Sequence, residues 1–313
     1  MALHEIPAEI LRDLLINIDG EIAPACPYAF LLSEAAEASL EPHRNWLKRH
    51  GLLDTPEEQE GRLALVPSLR RALDIVARPI RRILVGELSP QGGRRAVYVS
   101  DGAEVVVAMF GKESCLLSDP VDLKEFRAGL VAAVGPAKGK SVPKPLQLHP
   151  AVLRLLGAVF ASGSSDSGDG SGPTSVHGGG TAEASWPMSR ADLEVRLAAS
   201  VEDEAQGAEI INALIADQVL SANDGMVDMH PAFRPWHAAI TSGYILEIQR
   251  LEYPEGRLQD AQQPVRAYFW GPPGERCLLW PAGDQTGEIL LSRPTAKDLK
   301  TVVGYMVGYA ELT

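Results

Sequence analysis

At 313 residues the chain is about twice the usual single-domain length, so two domains or two copies of one unit are expected. Hydrophobic residues make up 45% and charged residues 22%, which excludes a disordered chain, a collagen or a coiled-coil rod. The formal net charge of -12 argues against non-specific nucleic-acid binding, which needs a cationic surface.

The first elements are helical. Pro7-Ala8 leads into Ile10-Leu11-Arg12 and Leu14-Leu15, which reads as a short helix with proline at its first turn. A second helix runs to RHGLL (Arg49 to Leu53), with His50 and Gly51 placed to cap it. After an acidic turn comes LVPSLRRALDIVARP, Leu65 to Pro79. Strand patterns follow at Ile80 to Leu88, Arg95 to Val99 and Glu104 to Phe110, with hairpin signals at Gly92-Gly93 and Asp101-Gly102. Ser118-Asp119-Pro120 then introduces an amphipathic helix with apolar Leu123, Phe126, Leu130, Val131 and Val134.

The second half repeats this order. Pro150-Ala151 leads into Val152-Leu153-Arg154, and a Gly/Ser-rich segment at 161–187 reads as a flexible linker. Then come LIADQVL, a turn at Asn223-Asp224-Gly225, and DMHPAFRPWHAAITSG. Strand patterns recur at Tyr244 to Leu251, Val265 to Trp270, Arg276 to Trp280 and Thr286 to Leu291. Ser292-Arg293-Pro294 introduces the final helix, with Leu299, Val302, Met306 and Val307 on one stripe. Anchoring the two halves on their closing helices keeps the strand number equal and makes the similar triplets Cys115-Leu116-Leu117 and Cys277-Leu278-Leu279 a coincidence. The expected fold is α+β: two pseudo-twofold-related halves, residues 1–148 and 149–313, each a helix-turn-helix-like segment plus an antiparallel sheet covered by a C-terminal helix.

Chemistry is sparse. Gly135 to Ser141 ends like a phosphate loop but has Val134 where the first glycine belongs, and it follows a helix. His43 with His50 and His230 with His237 are seven apart, too far along a helix to share a metal. There is no G-x-S-x-G elbow, and the three cysteines show no C-x-x-C spacing. No enzyme activity, cofactor or metal is expected. No apolar run is long enough to span a bilayer and the N-terminus lacks signal-peptide features, so a cytoplasmic protein that does not insert into membranes is expected.

Acidity sits in the second half: residues 1–148 carry 18 Lys+Arg against 20 Asp+Glu, residues 149–313 carry 11 against 21. Between positions 62 and 82, six arginines face only Asp74, a patch that could meet an anion or be a solvated helix face. Leu40 to Val66 could form a winged helix with Glu41 to His50 as recognition helix, making a DNA-binding regulator the competing reading. Its proposed wing, Asp54 to Glu60, carries four carboxylates, and the equivalent second-half stretch from Ala208 to Leu220 has no Lys or Arg.

The order of elements resembles the EspG family of cytosolic type VII secretion chaperones. The stretches that carry it are PLQLHPAVLRLL (Pro145 to Leu156), GLL followed by LALVPSLRRALDIVARP, and the closings SDPVDLKEF and SRPTAKDLK. The resemblance implies a non-catalytic chaperone for a helical secreted client of the PE/PPE kind. No family binding residue transfers by position. Hairpin placement and chemistry single out Arg94, Arg95, Tyr253, Arg257 and Trp270 as protein-binding candidates.

Overall fold

The structure, a computed structural model, describes residues 2–32, 39–54, 64–111, 113–135, 146–148, 187–198, 204–234, 236, 239, 242–254, 264–281 and 289–309. In chain order the main strands are β1 (Leu3–Pro7), β2 (Arg81–Ser89), β3 (Gly92–Ser100), β4 (Glu104–Phe110), β5 (Ser114–Ser118), the short β6 (Val121–Asp122) and β7 (Leu146–Leu148). The second half adds β8 (Met188–Ser189), β9 (Leu220–Asn223), β10 (Met226–Met229), β11 (Ile245–Glu252), β12 (Val265–Trp270), β13 (Cys277–Pro281) and β14 (Ile289–Ser292).

One antiparallel sheet unites the halves, in the order β1-β5-β4-β3-β2-β11-β12-β13-β14-β7. Its connectivity is the same read outward in either direction from the central β2–β11 pair, which runs from Arg81↔Glu252 to Leu88↔Ile245. The fold class is the expected α+β, and the long strands fall where sequence patterning put them. Pairing also settles the Cys-Leu-Leu ambiguity. Cys115 lies on β5 and Cys277 on β13, strands at different distances from the centre, while β14 takes the place that β5 has in the first half.

Neither edge strand of the large sheet was in the sequence reading. Leu3 to Pro7 is an edge strand paired to β5, and Pro7 is both its last residue and the N-cap of α1 (Ala8–Ile16). The stretch is short and ends in proline, so its one and a half cycles of alternation were hidden by the helix that follows. Leu146 to Leu148 takes the opposite edge by pairing with Ile289 to Leu291, so the second half's sheet begins at Leu146.

One sheet face is covered by two closing helices, α4 (Leu123–Val134) and α7 (Ala296–Val307). Asp122 caps α4 by accepting from the Lys124 and Glu125 amides, and Thr295 with Asp298 forms a capping box on α7. Their apolar stripes bury Leu123, Leu130, Val134, Leu299, Val303 and Met306 over Ile83, Ile248, Ala267 and Phe269. Each fully buried side chain of this kind contributes about 2 kcal/mol of transfer free energy.

The opposite face carries two separate helical modules. In the first half, α1, α2 (Arg44–Arg49) and α3 (Pro67–Ala77) pack Leu11, Leu47, Leu69 and Leu73 onto Val99, Val106 and Leu117. In the second half, α5 (Arg190–Ala198), α6 (Glu204–Ala216) and the β9–β10 hairpin pack Leu193, Ile211, Leu214 and Trp236 onto Cys277, Leu279 and Leu291. Asp224 and Gly225 both have positive φ, 48° and 76°, as a tight two-residue hairpin requires. The linker expected at 161–187 lies almost wholly outside the described residues.

Candidate functional site

Strand alternation places residues of β3, β2, β11 and β12 in rows across the module-bearing face. One row runs Arg95, Gly86, Glu247, Tyr268, and the next runs Val97, Leu84, Gln249, Arg266. Leu88, Ile245 and Trp270 form the row nearer the β2–β3 hairpin. The first module packs over β3, β4 and β5, and the second over β13 and β14 with the edge of β12. Between them lies a trough whose floor no described element covers.

Four strands about 4.8 Å apart put β3 and β12 about 14 Å from each other, with the modules resting on Val99 of β3 and on Tyr268 and Trp270 of β12. An α-helix with its side chains is about 10 to 12 Å across, comparable with that separation. Its floor mixes apolar and polar groups: Leu84 is buried, Val97, Leu88 and Ile245 are half-buried, and Arg82, Arg95 and Arg266 are exposed. Gly86 sits at the centre, where among the described residues an added Cβ would meet Glu247 Oε2 alone, at 3.9 Å. On the first-module side, Phe30 and Phe110 stack edge to face with centroids 4.9 Å apart, and both are more than half exposed. An aromatic rim beside a mixed floor is the composition of a protein-binding surface.

The sequence candidates fall in different places. Arg95 stands on the trough floor. Arg94, its neighbour, points to the other face, where Nε donates to Glu87 Oε2 at 2.7 Å. Trp270 lies on the trough side but is half-buried, and its ring packs against the second module's core in place of projecting from a hairpin tip. Tyr253 is 3% exposed and offers a partner no surface. It directly follows the last residue of β11, and its amide is drawn in by the Ile80 carbonyl at 2.8 Å. Arg257 lies outside the described residues. The sequence reading missed Gly86, Arg266, Phe30 and Phe110. Only the cross-strand register, set by the whole sheet, aligns them.

The arginine-rich stretch between 62 and 82 is largely neutralised. Arg70 pairs with Asp19, Arg71 with Asp101 and Glu104, Arg78 with Asp74 and Arg81 with Glu252. The proposed recognition helix is a short turn of helix with Leu47 buried and Arg44 held by Glu41 at 2.7 Å. His50 ends it as expected, with Nδ1 on the Trp46 carbonyl at 2.8 Å and Gly51 at a φ of 65°. The proposed wing residues 55–60 are outside the described residues. In the second half, β8, α5, α6, β9 and β10 do follow a winged-helix order, yet the helix in the reading position, α6, buries Ile210, Ile211 and Leu214 and carries no Lys or Arg.

Among the described residues no group of three His, Cys, Asp or Glu side chains could hold a metal ion. All three cysteines are buried, and burial pushes each thiol up to about 11, far from a nucleophile's range. No helix among the described residues is long and apolar enough to cross a membrane.

Neither a protein-family model nor a curated protein sequence matches the chain. Among solved structures it is similar to the Mycobacterium tuberculosis type VII secretion system chaperone EspG5, solved in complex with a PE25-PPE41 dimer. That likeness has a TM-score of 0.48 at 10% sequence identity and covers 99% of this chain and 98% of the other.

Proposed function

We propose that this protein is a non-catalytic cytosolic chaperone or adaptor that seats a helical segment of a secreted partner in the sheet trough. The carrying observation is the trough itself: the face of the central strands between two helical modules, with the exposed Phe30–Phe110 pair on the first-module side. Helix-in-groove recognition needs an apolar floor with a polar surround, which Leu84, Leu88, Val97 and Ile245 with Arg95, Glu247 and Arg266 supply. The resemblance of the element order to the EspG family gives the partner its expected class, a PE/PPE-like helical client of a type VII-like secretion system. A DNA-reading role draws no support from α6, which offers phosphate no cation.

The test uses Gly86. A Cβ fits there, and a larger side chain rises into the trough without entering a core. Tagged wild type and Gly86→Phe are purified from the native cytosol after matching their circular dichroism and melting temperature. A stoichiometric helical protein retained by wild type and lost from Gly86→Phe is the expected result. Equal recovery with both, or recovery of nucleic acid in its place, overturns the reading.

A further inference from the structure

The trough is cationic on a protein that is strongly anionic. Three exposed arginines, Arg82, Arg95 and Arg266, project from its face, and none is in an ion pair with any described residue. The one carboxylate in these rows is Glu247, across the sheet from Gly86. This is unlike the arginines elsewhere in the first half, where Arg70, Arg71, Arg78 and Arg81 each meet a carboxylate. Three exposed arginines against the single carboxylate of Glu247, which also acts on Arg266, leave a positive excess where a partner would lie, on a chain whose net charge is -12.

Their arrangement is two-sided. Arg95 stands on β3 and Arg266 on β12, the two flanking strands of the floor, with Arg82 further along β2. On the two middle strands Leu84, Leu88 and Ile245 supply apolar contact beside Gln249 and Glu247, and cations stand on both flanking strands.

We infer that the trough selects a helix with an apolar stripe flanked on both sides by acidic residues. This inference rests on the trough being a helix-binding site, and it names the charge chemistry of the occupant. A polyanionic duplex is disfavoured because a chain of net charge -12 repels a long anion. Cations at the margin of an apolar groove act on association rate and partner choice more than on bulk affinity, by rejecting helices with basic flanks.

Two amphipathic helical peptides test it, identical in their leucine stripe and carrying Glu in one and Lys in the other at the flanking positions. Titrated calorimetrically against the full chain at low salt, the Glu peptide should bind about tenfold tighter, the combined worth of two exposed ion pairs. The preference should shrink as salt is raised. The doubly reversed variant Arg95→Glu/Arg266→Glu, with an unchanged melting temperature because both sites are exposed, should prefer the Lys peptide. Equal binding of both peptides, or a preference that survives the reversal, overturns the charge assignment while leaving the helix site standing. Binding of neither peptide removes the helix site and the assignment with it. Displacement of the Glu peptide by a single-stranded oligonucleotide at matched concentration overturns the assignment in favour of nucleic acid.

Discussion

The helices that close the two halves end on arginines supplied by the opposite half, yet the two ends are built differently. Arg276, from the second half, donates to the Ala133 carbonyl at the end of α4 and to Glu87 on β2, each at 3.1 Å. Arg81, from the first half, donates to the Val307 carbonyl of α7 at 3.0 Å and to Glu252 on β11 at 2.8 Å. The α7 end has further supports. Gly308 turns left-handed with a φ of 70°, the Tyr309 amide returns to the Gly304 carbonyl, and Arg250 reaches the Tyr305 carbonyl while lying over its ring. Among the described residues, the α4 end shows the Gly135 amide on the Val131 carbonyl besides Arg276. Among the described residues, then, one side chain holds the end of the first half's helix, while Arg81 and Arg250 both hold the second half's.

That asymmetry predicts unequal losses. Arg276 is 2% exposed, and burial lowers its pKa against the raising effect of Glu87, so the site is costly and depends on its partners. Arg276→Met takes this donor from the Ala133 and Gly271 carbonyls and leaves Glu87 with Arg94 as its remaining arginine partner, and should cost about 3 kcal/mol in a urea titration. A loss below that of the α7-end substitution that follows would show that α4 has a second anchor. Gly308→Ala should cost about 2 kcal/mol, because a Cβ is strained at this φ and would overlap the Arg81 guanidinium. Combining Gly308→Ala with Arg81→Met should cost less than the sum of the two, since they break one contact. Additive losses would break the proposed coupling.

The sequence exposed the fold wherever periodicity was long, as in β2, β4, β11 and both closing helices, because one buried face imposes its period on every residue of an element. It hid β1 and β7, three to five residues each, where pairing with a distant strand outweighs local pattern. The site was less legible. Arg95 was singled out for its hairpin position and does lie on the trough floor, but its neighbour Arg94 points to the other face because alternation turns adjacent residues to opposite sides. Gly86 and Arg266 had no local signal at all. One reads as a weak point in a strand and the other as an ordinary surface arginine until the β2–β11 and β11–β12 registers are known.

A smaller effect separates the halves by their response to acid. In the first half, Asp13 on α1 accepts from Arg12 Nε at 2.8 Å and from His43 Nε2 at 2.9 Å. Burial alone would raise its pKa, but these bonds prevail and hold it below the ordinary carboxylate value. Asp101 and Asp119 are lowered in the same way, by hydrogen bonds that outweigh burial. A carboxyl depressed in the folded state adds stability above its unfolded pKa of about 3.9, and that stability is lost as pH falls through the lower folded value. Asp13→Asn should thus cost about 1 kcal/mol at neutral pH, with the difference from wild type fading as pH falls below about 4, where the wild-type carboxyl also becomes neutral. Denaturant titrations of both proteins from pH 7 to 3 measure this directly. A gap that stays constant through that range would mean that Asp13 ties α1 to His43 by shape and hydrogen bonding alone, and that charge does not distinguish the two halves.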